Sequence, residues 1–243
     1  MPTLSIGPLV IPTTPLVYLL GIWISLSVIE RAARKLKLNV EATYSAAAVA
    51  LAGGFIGSRI VFVILHWPAY RSNLSGIVWP ITSGYDLWGG LIIALISAFF
   101  YSRAKGLQPL PTLDAVAPGL ISGLIVISFA DFLGGPGYGT ETGVLWAINV
   151  FGITRHPVQI YEILFGIAAL ATWRILLDRR TFPGQLFLSS VAIYSAGRLI
   201  VDTYRANAWL TATGFHILQI VSLLFMLTAV FFLGQQFRKH QAA

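Results

Sequence analysis

Cysteine is absent from this chain of 243 residues, and charged residues make up only 10% of it. The absence of cysteine excludes disulfides, thiolate metal sites and a cysteine nucleophile belonging to the chain itself. The shortage of charge excludes a water-soluble domain, because soluble domains carry about 25% charged residues. Hydrophobic residues make up 56% of the chain, and its mean hydropathy is +0.78. We therefore predict an integral membrane protein, with residues 1–243 forming a single membrane domain.

The sequence contains several long apolar segments. A membrane-spanning helix needs about 20 mostly apolar residues. Seven segments are long and apolar enough, which predicts an all-α, polytopic membrane helix bundle. Their approximate bounds are 15–29, 44–66, 86–102, 114–133, 157–176, 184–203 and 213–235.

The net charge of +7 comes from Lys and Arg in short clusters between these segments, so it does not indicate nucleic-acid binding. Positive residues concentrate in cytoplasmic loops of membrane proteins. Eleven Lys and Arg follow the odd-numbered spans, and three lie on the opposite side, at Arg71, Arg155 and Arg205. This asymmetry predicts an outside N-terminus and a cytoplasmic C-terminus.

Ionisable residues inside spans are the most informative ones, because each costs at least about 2.5–3.5 kcal/mol at mid-membrane. In span six, Tyr194, Arg198 and Asp202 recur every four residues, and Arg205 lies seven residues after Arg198. Helical spacing predicts that all four share one face near the outer end of the span. One interpretation is a structural Arg198–Asp202 pair. The other is a guanidinium presented to an anionic lipid headgroup, because arginine matches phosphate oxygens with a planar fork.

A second polar group opens span five, in the run Arg155–Glu162. Pro157 suits the first helical position, so His156 is expected at the cap, with Gln159 and Glu162 on one face. A helix N-terminus offers free N–H groups and a positive dipole to an anion. The alternative is a capping arrangement in which Glu162 pairs with a neighbouring arginine.

Two further segments combine glycine residues with a charged residue. Arg59 lies within span two after several small residues, and Asp131 precedes a glycine-rich turn that contains Gly135 and Gly139. Small residues let helices approach closely, and successive glycine amides can bind an anion. Arg59 is a possible counter-charge for a carboxylate in another span.

His66 and His216 are isolated in the sequence, so we assign both to packing or interface roles. No cluster of His, Asp and Glu has the spacing of a metal site, so we expect no bound metal ion.

Four sequence runs resemble the bacterial prolipoprotein diacylglyceryl transferase family. They are RHPVQIYE at 155–162, YSAGRLIVDTYR at 194–205, GGFIGSRIVF at 53–62 and LSIGP at 4–8. The resemblance implies an enzyme of the bacterial inner membrane that moves diacylglyceryl from phosphatidylglycerol, or another anionic phospholipid, to the lipobox cysteine thiol of a prolipoprotein signal segment.

The resemblance implies neither a metal nor an organic cofactor. Together with the polar positions, it gives a candidate site. We expect catalysis from Tyr194, His156, Glu162 and Arg198. Substrate binding is expected from Arg59, Asp131, Gly135, Gly139, Gln159, Asp202 and Arg205.

Five positions depart from the family pattern. The family's histidine in an HGG segment is replaced by Trp88, and its signature arginine aligns with Ser128. Two asparagines of the same signature correspond to Asp131 and Gly134, and a tyrosine near the first span aligns with Thr14. A homologue with weakened catalysis that binds phospholipid or lipoprotein signal segments is therefore one alternative. A small polytopic transporter is another, although the charges gather at the ends of spans rather than at mid-membrane.

Overall fold

The computed structural model describes residues 3–6, 9–72, 74–78, 84–134, 137–150 and 152–241. Seven of its helices are long and apolar enough to cross a membrane, which confirms the predicted all-α, polytopic fold. The helices are α1 (Thr13–Lys35), α2 (Val40–Leu65), α3 (Trp67–Tyr70), α4 (Ser75–Val78), α5 (Leu87–Ala104), α6 (Pro109–Gly134), α7 (Val158–Leu176), α8 (Gln185–Val201) and α9 (Ile217–Gln241).

Short strands and one turn complete the described structure. Two antiparallel hairpins are formed, by β1 (Thr3–Ile6) with β2 (Leu9–Pro12) and by β3 (Ile148–Val150) with β4 (Ile153–Arg155). A single 3₁₀ turn, Asp202–Tyr204, follows α8. The chain divides into two compact units, residues 33–112 and residues 1–32 with 113–243.

In the unit of residues 33–112, α2 packs against α5 through small residues on both helices. A Cβ atom added to Gly57 would lie 2.6 Å from the Ile93 side chain, and one added to Gly89 would lie 2.5 Å from Val61. No side chain fits at these distances, so the glycines allow the two backbones to approach closely. Asp86 caps α5 by accepting a hydrogen bond from the Gly89 amide at 2.6 Å.

In the other unit, the same device brings α1, α6, α7 and α8 together. Gly119 of α6 lies against Ile29 of α1, Gly166 of α7 against Ile125 of α6, and Gly197 of α8 against Phe165 of α7. Each glycine removes the side chain that would hold the neighbouring helix away. These contacts fix which residues at the ends of α6, α7 and α8 meet.

Asp114 ties three helices of this unit together, and it is 2% exposed. Its carboxylate accepts hydrogen bonds from the Gly184 amide at 2.7 Å and the Phe187 amide at 2.8 Å, at the start of α8. Gly184 has no side chain to cap its own helix, so a residue of α6 supplies the acceptor. The Trp173 indole of α7 donates to the Asp114 carbonyl at 2.8 Å.

We expect Asp114→Ala to lower the free energy of unfolding by about 2–4 kcal/mol, because two buried amides lose their acceptor. Unfolding in mixed detergent micelles measures this change. Asp178→Ala is the matched control, because Asp178 pairs with Arg174 on an exposed helix surface, where such a pair is worth about 0.5 kcal/mol or less. Equal unfolding midpoints for the two variants would contradict the role of Asp114.

Candidate functional site

A buried carboxylate on α7 is the centre of the site. Glu162 is 5% exposed, and Gln159, one turn before it, is 3% exposed. The Oε1 atom of Glu162 accepts hydrogen bonds from the guanidinium groups of both Arg198 and Arg205. Its Oε2 atom accepts one from the Ser128 hydroxyl at 2.8 Å. Side chains from α6, from α8 and from the segment after α8 therefore meet at one carboxylate.

The two arginines reach Glu162 by different routes. Arg198 lies in the last turn of α8, next to Gly197, which allows α8 to approach α7. Arg205 is not on α8, because the helix ends at Val201 and a 3₁₀ turn intervenes. The prediction that one helical face carries Tyr194, Arg198, Asp202 and Arg205 is therefore wrong for Arg205. Tyr194 is half-buried, one turn before Arg198.

A glycine-rich segment holds Arg205 in place. The Ala206 amide donates to the Tyr138 carbonyl at 3.1 Å, and the Thr140 amide donates to the Tyr204 carbonyl at 2.7 Å. Gly137 has a φ of +70°, and a Cβ atom there would lie 2.5 Å from a guanidinium nitrogen of Arg205. Glycine at 137 thus supplies both the left-handed backbone and the space for the arginine. Gly135 lies outside the described residues.

The group of Glu162, Arg198 and Arg205 contains one carboxylate and two guanidinium groups, and the carboxylates of Asp202 and Asp131 lie beside Arg205. The two arginines use only a few of their N–H donors on Glu162, so others remain for a second acceptor. Burial lowers the pKa of Arg205, whereas the carboxylates of Asp202 and Asp131 raise it. Arginine stays protonated under such shifts.

Asp202 pairs with a histidine rather than with Arg198. It is 1% exposed, and its Oδ2 atom lies 3.0 Å from Nδ1 of His216, the residue before α9. Its Oδ1 atom lies 3.8 Å from Nε of Arg205, beyond hydrogen-bonding distance, and both atoms are buried without a hydrogen-bond partner. The structural Arg198–Asp202 pair is therefore replaced by two other pairs, Arg198–Glu162 and Asp202–His216.

Asp131 lies in the last turn of α6 and contacts α1. Its Oδ1 atom accepts a hydrogen bond from the Tyr18 hydroxyl at 3.3 Å. The contact places a carboxylate beside the same glycine-rich segment, since the Cβ position of Gly137 is 3.8 Å from Asp131 Oδ2.

His156 belongs to an aromatic group at the start of α7. The helix begins at Val158 with Pro157 in the cap position, so the expectation that His156 occupies the cap is wrong, and His156 lies one residue before it. Its Nδ1 atom lies 3.2 Å from the Tyr161 hydroxyl, and its ring centroid is 4.7 Å from that of Tyr204. Pro157 takes the cap position in place of His156, although its side chain has no hydrogen-bond acceptor for the first amides of the helix.

Gly139 and Arg155 bring the segment before α7 against this aromatic group. The Arg155 guanidinium donates to the Gly139 carbonyl at 3.1 Å and lies 4.7 Å from the centroid of the Tyr138 ring. A Cβ atom at Gly139 would overlap the His156 backbone, so glycine is needed for this approach.

Arg59 belongs to the unit of residues 33–112, where it binds a loop. Its guanidinium donates to the carbonyls of Gly76, Ile77 and Gly84 and lies 5.3 Å from the centroid of the Tyr70 ring. The described partners of Arg59 are therefore backbone oxygens and aromatic rings of its own unit.

Two apolar grooves lie on either side of Tyr161 and Leu164 on α7. The first has a volume of about 420 Å³ and is lined by Phe132, Trp146, Ile148, Pro157, Ile160, Tyr161 and Leu164. The second, of about 300 Å³, is lined by Tyr161, Leu164, Phe165, Ala168, Ile200, Val201 and Tyr204. Both grooves are lined by α7, which carries Glu162, and the second is also lined by α8, which carries Arg198. Apolar chains therefore have space on the helices that carry the charged group.

Two partners in this site were not among the residues selected from the sequence. Ser128 attracted attention only as a departure from the family pattern, and His216 was assigned to packing. Their signal is weak because a serine or a histidine near a helix end has many ordinary roles. Within the described ranges, no group of three or more His, Cys, Asp and Glu is arranged to hold a metal ion.

Comparison with known proteins identifies the family. The sequence model of prolipoprotein diacylglyceryl transferase matches residues 2–234. Proteins named phosphatidylglycerol–prolipoprotein diacylglyceryl transferase are 30% identical in Finegoldia magna (74% of this chain, 73% of the relative), 24% in Clostridioides difficile (79% and 77%) and 25% in Staphylococcus epidermidis (98% and 89%). The chain therefore belongs to the prolipoprotein diacylglyceryl transferase family and is a multi-pass membrane transferase.

Proposed function

We propose that this protein transfers the diacylglyceryl group of phosphatidylglycerol to the lipobox cysteine thiol of lipoprotein precursors, in the bacterial inner membrane. The observation that carries the proposal is the convergence of Arg198 and Arg205 on Glu162, beside two apolar grooves. The relatives' names support the two substrates.

The two guanidinium groups suit a lipid phosphate in both charge and position. Glu162 lies in the second turn of α7, whereas Arg198 and Asp131 lie in the last turns of α8 and α6. These positions put the charges at helix ends, where a lipid headgroup meets the acyl region, and not at mid-membrane, where transporters bind their substrates. An arginine fork binds phosphate oxygens through parallel hydrogen bonds.

In the proposed reaction, the positive charge of Arg198 and Arg205 matters most when the leaving group departs. The sulfur of the acceptor cysteine attacks the glyceryl carbon that bears the phosphate, forming a C–S bond. The C–O bond breaks, and its electron pair stays on the phosphate oxygen, so glycerol phosphate leaves with one more negative charge. Donors already aligned on that oxygen stabilise the developing charge without reorganisation. Arg198 and Arg205 supply these donors.

The acceptor peptide supplies the nucleophile. The chain has no cysteine of its own, so the thiol and its proton both come from the lipoprotein precursor. A thiolate reacts far faster than a thiol, so the site must also take up a proton.

Binding without transfer is the second candidate function, and one observation favours it. Ser128 is 3% exposed, and its short hydroxyl reaches Glu162 where the family pattern has an arginine. One guanidinium fewer would weaken stabilisation of the leaving group more than binding of the lipid. Detection of transferred product decides between the two functions.

We expect Arg198→Ala to reduce transfer by about 100- to 1,000-fold, because loss of one aligned donor to a developing oxyanion has that effect. The assay uses purified protein, phosphatidylglycerol vesicles and a lipobox peptide, with the added diacylglyceryl mass measured on the peptide. Arg198→Lys keeps the charge but loses the fork, so it should show a smaller loss.

Arg174→Ala is the control for Arg198, because Arg174 lies on α7 and its partner Asp178 is exposed. It should transfer at the parental rate. The role of Arg198 is wrong if Arg198→Ala, inserted and folded, also keeps that rate.

Ser128→Ala should lower transfer about 3- to 10-fold and reduce stability by about 1–2 kcal/mol, since a hydrogen bond to a buried carboxylate is lost. The comparison variant is Ser190→Ala. Ser190 is also fully buried, but its hydroxyl has no hydrogen-bond partner within the described chain. Both rates and unfolding midpoints are measured. Identical behaviour of the two serine variants would show that Ser128 does not support Glu162.

A further inference from the structure

We propose that His216, held by Asp202, is the base that takes the proton from the acceptor thiol. The inference rests on the proposed transfer reaction, and it adds a residue that neither the sequence motifs nor the phosphate-binding pair provides. Its starting point is the contact of 3.0 Å between His216 Nδ1 and Asp202 Oδ2.

The Asp202–His216 pair has the arrangement of a histidine base that a carboxylate orients. Asp202 is 1% exposed, whereas His216 is 26% exposed, so the carboxylate is enclosed and the imidazole is partly accessible. A carboxylate that accepts a hydrogen bond from Nδ1–H fixes the tautomer in which Nε2 is free to accept a proton. The carboxylate also stabilises the imidazolium that forms.

The same carboxylate links the imidazole to the phosphate-binding group. Asp202 Oδ1 lies 3.8 Å from Nε of Arg205, and Arg205 binds Glu162. The proton acceptor and the guanidinium therefore lie on two sides of one side chain. In the proposed reaction, the phosphate lies at Arg205 and the acceptor thiol lies at the accessible side of the imidazole.

The other candidate bases are occupied or enclosed. Glu162 already accepts hydrogen bonds from Arg198, Arg205 and Ser128, which neutralise its charge. Asp202 is enclosed. The Nδ1 atom of His156 contacts the Tyr161 hydroxyl and no carboxylate, so His156 lacks the partner that would stabilise its protonated form.

The charged groups around His216 are few. Asp202 faces it directly from the 3₁₀ turn, Arg205 lies on the far side of Asp202, and Arg198 is one turn earlier on α8. On α9 itself, the sequence has no charged residue before Arg238. Asp202 is therefore the charged side chain that contacts His216 directly.

The proposed step balances as follows. The thiol proton moves to Nε2 of His216, and the sulfur forms its bond to the glyceryl carbon as the C–O bond breaks. The products are the thioether, the glycerol phosphate anion and an imidazolium next to Asp202. The imidazolium then releases its proton to water or to the departing phosphate, which restores the base.

The test compares His216→Asn with the parental protein over a range of pH. Asparagine keeps an N–H donor for Asp202 but has no basic nitrogen, so the pairing between α8 and α9 is preserved. At pH 6.5–7 we expect transfer to fall about 100- to 1,000-fold, the usual contribution of a general base. The loss should shrink to about tenfold or less above pH 9, because a free thiol with a pKa of about 8.5 then ionises without help.

A purely structural role predicts a different result, namely a loss that is the same at every pH. That result, or an unchanged rate, overturns the proposal. So does a pH-dependent loss in His156→Asn that is absent from His216→Asn. If the parental protein makes no product at any pH, the proposed transfer reaction itself fails, and the role of His216 falls with it. Unfolding midpoints of both asparagine variants show that each is folded.

Discussion

The whole site depends on one buried carboxylate that two guanidinium groups share. An unpaired carboxylate in the interior of a protein costs several kcal/mol, and a buried pair is favourable only when its remaining hydrogen bonds are satisfied. Glu162 meets this condition, because both of its oxygens accept hydrogen bonds, one from Arg198 and Arg205 and the other from Ser128. The two arginines, which would repel each other in isolation, are thereby held close together.

Other residues of the unit formed by residues 1–32 and 113–243 position these side chains. Gly197 lets α8 approach α7, and Asp114 fixes the start of α8 on α6. Gly137 leaves space for Arg205, which reaches the site from an extended segment after α8. Each of these residues determines the position of a charged side chain. Arg198 and Arg205 are thereby held together at one carboxylate.

The spans and the polar positions were predictable from the sequence, whereas the partners were not. Hydropathy locates the helices because lipid tolerates little charge, and the same cost singles out Glu162, Arg198 and Asp202. The pairing of these residues depends on helix contacts made through glycines, which residue spacing does not reveal. The spacing suggested an Arg198–Asp202 pair, whereas Arg198 binds Glu162. Ser128 and His216 were missed as partners because a single serine in a span, or a single histidine next to one, has many ordinary roles.

A structure determined experimentally with phosphatidylglycerol bound tests the central claim most directly. The account predicts that the lipid phosphate accepts hydrogen bonds from Arg198 and Arg205 while Glu162 still contacts both guanidinium groups. It also predicts acyl chains in the apolar grooves beside Tyr161. A phosphate bound elsewhere in the molecule, with the two arginines facing away from it, would contradict the account.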